Sequence, residues 1–158
     1  DHFVLIQAED FTGNGGGEVS ISDNKTAQYG KSFLQWSGRD HWVEWEVEVK
    51  QAGWYKVMFK YCREGGPATR SLTIDGEYPV EPAEAIEVAG TGGWSNGADN
   101  WTFHTVAWPQ IDKPALVKLD KGKHKIRMTN TSGDNGVNMD YIILAHPDLD
   151  VTREMVEK

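Results

Sequence analysis

The 158-residue chain has a single cysteine, Cys62, which excludes an internal disulfide. A lone thiol of this kind ordinarily serves as a small hydrophobe in a core strand. No stretch approaches the roughly 18 consecutive apolar residues that a membrane-spanning helix needs. Positive charge is scarce: 16 Lys and Arg stand against 24 Asp and Glu, a formal net charge of −8. That balance argues against nucleic-acid and anionic-membrane partners, which call for a basic stripe. Helical periodicity is missing as well. Only the tail, Asp150 to Lys158, has a pattern compatible with a helix, and after His146-Pro147-Asp148 it reads as a linker or the start of a neighbouring domain. No signal peptide is present and the first residue is Asp1, so we expect a piece of a larger or processed protein.

Catalytic signatures are equally sparse. None of His2, His41, His104, His124 and His146 has the spacing of a zinc motif. No serine or cysteine lies in a nucleophile motif. Gly13-Asn14-Gly15-Gly16-Gly17 is followed by no Lys-Ser/Thr pair and no helix, so it reads as a flexible turn and not as a phosphate loop. A glycosidase needs two carboxylates about 5 to 10 Å apart. Some pair among 24 acidic residues will meet that distance by chance.

What the chain does have is alternation at period two. In Trp42–Val49, Val43, Trp45, Val47 and Val49 share one face, and Glu44, Glu46 and Glu48 share a face that belongs in water. Gly53 marks a turn, after which Tyr55, Val57, Phe59 and Tyr61 line one face of Trp54–Cys62, so the two segments read as an antiparallel pair. Further strands are expected at Phe3–Glu9, Val19–Ser22, Ser32–Trp36, Ser71–Ile74, Ala85–Val88, Trp101–Val106, Leu116–Leu119, His124–Met128 and Asn138–Leu144. Asp75-Gly76 and Lys121-Gly122-Lys123 supply turns. Short strands at this spacing indicate an all-β fold, a jelly-roll β-sandwich of two antiparallel sheets. Its size and composition, 39% hydrophobic and 25% charged, suit one globular domain, expected over residues 1–146 with 147–158 as tail.

Two sets of residues have the chemistry of a binding site. Gln7 and Glu9 are two apart on an expected strand and so project from one face. With Asp140 near the other end of the chain, they offer the oxygen ligands that Ca²⁺ prefers. The seven tryptophans offer rigid apolar faces of the kind that stack on sugar rings.

The order of segments resembles family 6 and family 35 carbohydrate-binding modules. The resemblance is carried by Gln7-Ala8-Glu9-Asp10-Phe11, Asp40-His41-Trp42-Val43-Glu44-Trp45, Ala52-Gly53-Trp54-Tyr55 and Arg70-Ser71-Leu72-Thr73-Ile74-Asp75-Gly76. It continues in Thr91-Gly92-Gly93-Trp94, Leu119-Asp120-Lys121-Gly122-Lys123-His124 and Gly136-Val137-Asn138-Met139-Asp140-Tyr141-Ile142. The resemblance implies that the last strand lies near the first, bringing Asp140 to Gln7 and Glu9. It adds backbone carbonyls from Gln28–Ser32 to a structural calcium site. It also implies a ligand slot in which Trp36 and either Trp94 or Trp101 sandwich a pyranose over Asn138. The competing reading for each indole is core packing, and Trp42, Trp45, Trp54 and Trp108 are assigned to the core or the strand surface. Arg39, Arg63 and Arg70 leave room for a locally basic pocket that would take an acidic sugar. Where such modules have Gly-Asp before the second-strand tryptophan this chain has Asp40-His41, and the loop from Trp94 to Trp101 is longer.

The resulting expectation is a monomeric, non-catalytic module, secreted to an extracellular or periplasmic setting and tethered to a polysaccharide-degrading enzyme. Its partner is a polysaccharide or oligosaccharide. The alternatives are a small polysaccharide lyase or hydrolase, and a structural or protein-binding sandwich with a degenerate sugar site.

Overall fold

The computed structural model describes residues 3–158; Asp1 and His2, with which the expected module opens, lie outside the described residues. In chain order the strands are β1 (Phe3–Gln7), β2 (Gly13–Gly15), β3 (Ser20–Ser22), β4 (Ser32–Leu34), β5 (Trp42–Val49), β6 (Gly53–Cys62) and β7 (Ala68–Ile74). They continue with β8 (Ile86–Val88), β9 (Thr102–Thr105), β10 (Ala107–Trp108), β11 (Lys113–Pro114), β12 (Val117–Leu119), β13 (Gly122–Asn130) and β14 (Asn138–Ala145). One short helix, α1 (Arg153–Val156), follows. A seven-stranded sheet runs β12-β6-β14-β4-β3, with β1 also on β14 and β9 also on β6; a five-stranded sheet runs β2-β5-β13-β7-β8. Both are antiparallel, and together they form the expected jelly-roll-like sandwich.

The turn at Gly53 does not close a hairpin. β5 pairs with β2 and β13 in one sheet, and β6 pairs with β12, β14 and β9 in the other. The alternation itself explains the crossing: Val43, Trp45, Val47 and Val49 on β5, and Tyr55, Val57, Phe59 and Tyr61 on β6, all belong to one core between the sheets. Two strands that each hide an inner face bury more apolar area facing each other than lying side by side. At the core's centre Phe33 stacks on Trp45, centroids 6.2 Å apart, and the Trp45 indole donates to the Ala8 carbonyl at 3.0 Å.

Two local expectations are corrected. The Gly13–Gly17 segment is not a free turn: Gly13, Asn14 and Gly15 pair with Glu44, Val43 and Trp42 as strand β2. A Cβ on Gly15 would lie 2.5 Å from the Trp42 ring, so glycine lets this backbone rest on the indole. The first strand ends at Gln7, and Ala8–Asp10 form a 3₁₀ turn. Gln7 and Glu9 therefore do not share a strand face.

The tail departs from its expected role as a linker. Val151 and Val156, with Leu149, pack on Met58, Tyr141, Ile143 and Ala145 on the outer side of the seven-stranded sheet. Thr152 Oγ1 caps α1 by accepting from Met155 N at 3.2 Å. Tyr29 Oη donates to the Lys158 carbonyl at 3.2 Å, so the chain from His146 onward lies on the domain as a strap.

Candidate functional site

At the end of the sandwich where β6 finishes, the segments around residues 35–41, 63–67, 89–101 and 131–138 are bonded to one another. Thr91 N donates to Arg63 O at 2.8 Å, and Arg63 N donates to the Thr91 hydroxyl oxygen at 3.0 Å. The Arg63 guanidinium donates to Gly136 O at 3.1 Å and Asn135 Oδ1 at 2.6 Å, and Asn135 Nδ2 donates to Glu64 O at 3.0 Å. Arg39 donates to the carbonyls of Thr131 and Ser132 at 2.8 and 2.9 Å. A Cβ on Gly90 would lie 1.8 Å from Gly65 O; only glycine allows these two loops to touch. The surface here is therefore a preorganised one.

Of the four residues expected to hold a sugar, the structure leaves one at the surface. Trp36 is 0% exposed. Its indole N–H donates to His41 O at 2.9 Å, Phe33 meets it edge-on at 5.7 Å, and the Arg70 guanidinium lies 4.3 Å above its ring. With protein on every side, Trp36 has no face to offer a ligand and is corrected to a core residue. Trp101 is 6% exposed and its N–H donates to Thr26 O at 2.8 Å, so it too is a packing residue. Asn138 is 3% exposed, with Nδ2 donating to Trp94 O at 3.2 Å; it positions the Trp94 loop from beneath. Trp94 is half-buried, on a Gly-rich segment with no such covering.

The arginines also change role. Arg70 Nη1 and Nη2 grip Asp134 at 2.8 and 3.2 Å, and Arg63 Nη1 lies 3.9 Å from the same carboxylate. Burial alone would raise the Asp134 carboxyl, but the Arg70 hydrogen bonds and charge outweigh it and hold it at about 2. Both guanidinium groups are buried and spent on Asp134, Asn135 and backbone carbonyls inside the fold, so Arg63 and Arg70 do not form a basic pocket. Sequence reading missed this network; the Ser132-Gly133-Asp134-Asn135-Gly136 run was its available signal, a turn whose aspartate can face inward.

On one flank of the seven-stranded sheet, Gln7, Glu9 and Asp140 do come together. Tyr141 pairs with both Gln7 and Lys60, and the register of β14 on β6 slips between Met139 and Tyr141. The slip is a bulge at Asp140, a device that re-aims a side chain. Asp140 Oδ2 accepts from Tyr29 N at 2.9 Å and lies 2.9 Å from Lys60 Nζ, while Oδ1 is buried with no hydrogen-bond partner among the described residues. Glu9 Oε2 accepts from Lys31 N at 3.2 Å, and its Oε1 is likewise buried and unpartnered. The Gln7 carboxamide oxygen faces the carbonyl oxygens of Asp140 and Tyr29, at 3.3 and 3.1 Å. Oxygens held this close require either a shared cation or a half-turn of the amide that converts the contacts into hydrogen bonds. Gly30, at φ +77°, closes the side, its Cβ position only 3.3 and 3.4 Å from Gln7 and Glu9.

Burial pushes Asp140 up to about 6, outweighing the Lys60 hydrogen bond, and raises Glu9 as well. Among the described residues no three His, Cys, Asp or Glu side chains gather as a metal cluster. The donors here are instead two carboxylates, one amide and two carbonyls, an all-oxygen set that fits a hard cation such as Ca²⁺ and not zinc.

Residues 7–146 match the profile of the carbohydrate binding module family 6. A cycloisomaltooligosaccharide glucanotransferase of Niallia circulans is 28% identical over 128 residues, 80% of this chain and 11% of that enzyme. An exo-beta-D-glucosaminidase of Amycolatopsis orientalis is 30% identical over 142 residues, 89% of this chain and 12% of the enzyme. The chain thus spans a small fraction of the length of these relatives. In fold it is similar to a family 35 carbohydrate binding module from Clostridium thermocellum, at 21% identity, TM-score 0.69, and 90% and 96% coverage of the two chains. It is also similar to a carbohydrate binding module of Cellvibrio mixtus lichenase 5A in complex with cellotriose, at 20% identity, TM-score 0.64, and the same coverages. The chain belongs to the family 6 carbohydrate-binding modules and is a non-catalytic, carbohydrate-binding domain.

Proposed function

We propose that the module binds its sugar on the bonded loop cluster, with Trp94 as the stacking platform and Asn135 as the amide that meets hydroxyls. The observation that carries this is the exposure pattern: Trp36, Trp101 and Asn138 are buried, whereas Trp94 is half-buried and Asn135 exposed on loops tied together by Arg63. An indole offers contact area at little conformational cost, and an amide both donates and accepts. Similarity to cycloisomaltooligosaccharide glucanotransferases supports isomalto-linked glucans as the ligand, ahead of glucosamine oligomers. The module would serve by holding a tethered catalytic domain on its polymer outside the cell, raising the local concentration of each for the other.

We further propose one structural Ca²⁺ held by Gln7, Glu9 and Asp140 with the carbonyls of Tyr29 and Asp140. The support is the pair of buried, unpartnered carboxylate oxygens and the convergence of oxygen on oxygen around Gln7. The ion supplies charge neutralisation and no chemistry. Asp140 and Glu9 would bind it, and the bulge in β14 aims Asp140 toward it.

The test is a calorimetric titration of isomaltooligosaccharides into the protein and two variants. Trp94→Ala is expected to remove most of the binding while the melting temperature holds. Trp36→Ala is expected to cost about 3 to 5 kcal/mol of stability, with the molecules that stay folded still binding. Undiminished binding by Trp94→Ala overturns the assignment.

A further inference from the structure

At the opposite end of the sandwich, the β5–β6 crossing borders a cavity of about 810 Å³ between the Phe3–Leu5 strand and His146-Pro147. Its wall carries Trp54, 55% exposed and the largest side chain so exposed in the described domain. Tyr55, Glu48, Lys50, Gln51 and His146 also line it. Trp54 stands opposite Lys118 of β12 in register, on the outer side of the sheet. Tyr55 Oη donates to Gln51 O and thereby braces the turn. Glu48, Lys50 and Gln51 are exposed, and their side chains make no hydrogen bonds among the described residues.

We propose that this groove is a second carbohydrate-binding site, distinct from the Trp94 loops, with Trp54 as its platform. The occupant follows from the lining. One carboxylate and one ammonium offset each other, and an amide, a phenol and an imidazole add donors and acceptors, a lining that suits a neutral polyhydroxylated ring better than an ion. A protein-binding core would be depleted of such charges. The volume falls within the range of small-ligand sites, and an apolar wall with a few polar groups is their usual make-up. β6 runs from this groove to the loop cluster, Gly53–Cys62, so at ~3.3 Å per residue the two sites lie about 30 Å apart. Two sites at that separation on one rigid domain favour long polymer chains over short oligosaccharides.

The experiment uses the whole chain and the indole N–H resonances of Trp54 and Trp94, assigned by Trp→Phe substitution. Isomaltooligosaccharides, cello-oligosaccharides and glucosamine oligomers are titrated in turn. The expected result is a saturable shift of both resonances with at least one sugar, the Trp54 shift surviving Trp94→Ala and the Trp94 shift surviving Trp54→Ala. For the matching long polymer, Trp54→Ala is expected to weaken binding at least ~10-fold, leaving short-oligosaccharide binding at Trp94 unchanged. Movement of Trp94 without Trp54 overturns the second site and leaves the first standing. Movement of Trp54 without Trp94 does the reverse, and movement of neither overturns both. A Trp54 shift that follows protein concentration instead of sugar would assign the groove to pairing of two copies, and would also overturn this inference.

Discussion

The two outer faces of this sandwich are opposite in chemistry. On the five-stranded sheet, Glu44, Glu46 and Glu48 of β5 stand in register with Arg127, Lys125 and Lys123 of β13. This is an ordinary wet surface, in which Glu44 is ion-paired with Arg127 and the other two acids face lysines in register only. On the seven-stranded sheet the part of the outer face under the strap is apolar, with Met58, Tyr141 and Ile143 buried there. Beneath that strap lies Lys60, fully buried, its ammonium 2.9 Å from Asp140 and 2.8 Å from Glu157. The Tyr141 hydroxyl donates to the same Glu157 oxygen at 2.6 Å. A charge that costs almost nothing on one face requires the tail as a lid on the other, because a buried ion without partners is expensive.

Removing the lid is the strongest way to break the comparison. Deletion of residues 149–158 would remove Leu149, Val151 and Val156 and uncover Met58, Tyr141, Ile143 and Ala145 beneath them, and a side chain of this size is worth about 1.5 to 3 kcal/mol when fully buried. It would also strip Lys60 of Glu157. The expected loss is on the order of 5 kcal/mol, read as a shift of the urea midpoint. A loss under about 1 kcal/mol would mean that the strap merely rests on the sheet.

The proposed cation sharpens the comparison next, because Asp140 joins it to Lys60. With its carboxyl near 6 in the fold against the usual 3.8, Asp140 keeps its proton where an unfolded chain has lost it. Without a cation, stability therefore falls as pH rises between about 4 and 6. A divalent ion needs the ionised form and strengthens over that same window. Chelation should lower the melting temperature at pH 7, by an amount equivalent to about 2.7 kcal/mol if free Ca²⁺ was at 100 times its Kd. At pH 4 chelation should have little effect. Equal melts with and without EDTA at pH 7 would assign the Gln7 contacts to a turned amide.

The same contrast explains what sequence made legible. β5 could be read because one of its faces is wet, so Glu alternates with Val and Trp. The extreme example on the other sheet is β14, buried from Asn138 to Ala145 on both sides. It announced itself as a strand, but nothing in it says that the outer cover is the tail that follows it, Leu149, Val151 and Val156. Gln7, Glu9 and Asp140 were legible as a group through family resemblance, although Glu9 sits on a 3₁₀ turn and Asp140 on a bulge, which period-two counting cannot see. The ligand residues were the least legible. Trp36, Trp94 and Trp101 are the same residue type near the same loops, and only packing separates an indole capped by Arg70 from one left partly exposed. The sheet crossing at Gly53 was missed because a turn signal fixes a reversal of direction, not which sheet the chain enters.

The smallest expected effect lies on the wet face and tests whether it is as inexpensive as its geometry implies. Glu46 and Lys125 are exposed and paired in register. A double-mutant cycle to alanine should return a coupling of about 0.2 to 0.5 kcal/mol at low salt, fading in 1 M salt as screening shortens to about 3 Å. Glu44 and Arg127 differ, since the guanidinium Nε lies 3.0 Å from the carboxylate and its carbon 3.7 Å from the centre of the Trp42 ring. Their coupling should approach about 1 kcal/mol and survive salt better, because Trp42 holds the guanidinium in place and the Glu44 carboxylate is largely shielded from water. If Glu46 and Lys125 coupled as strongly as Lys60 and Asp140, the two faces would not differ in the way their burial indicates, and the ladder would be a structural element in its own right.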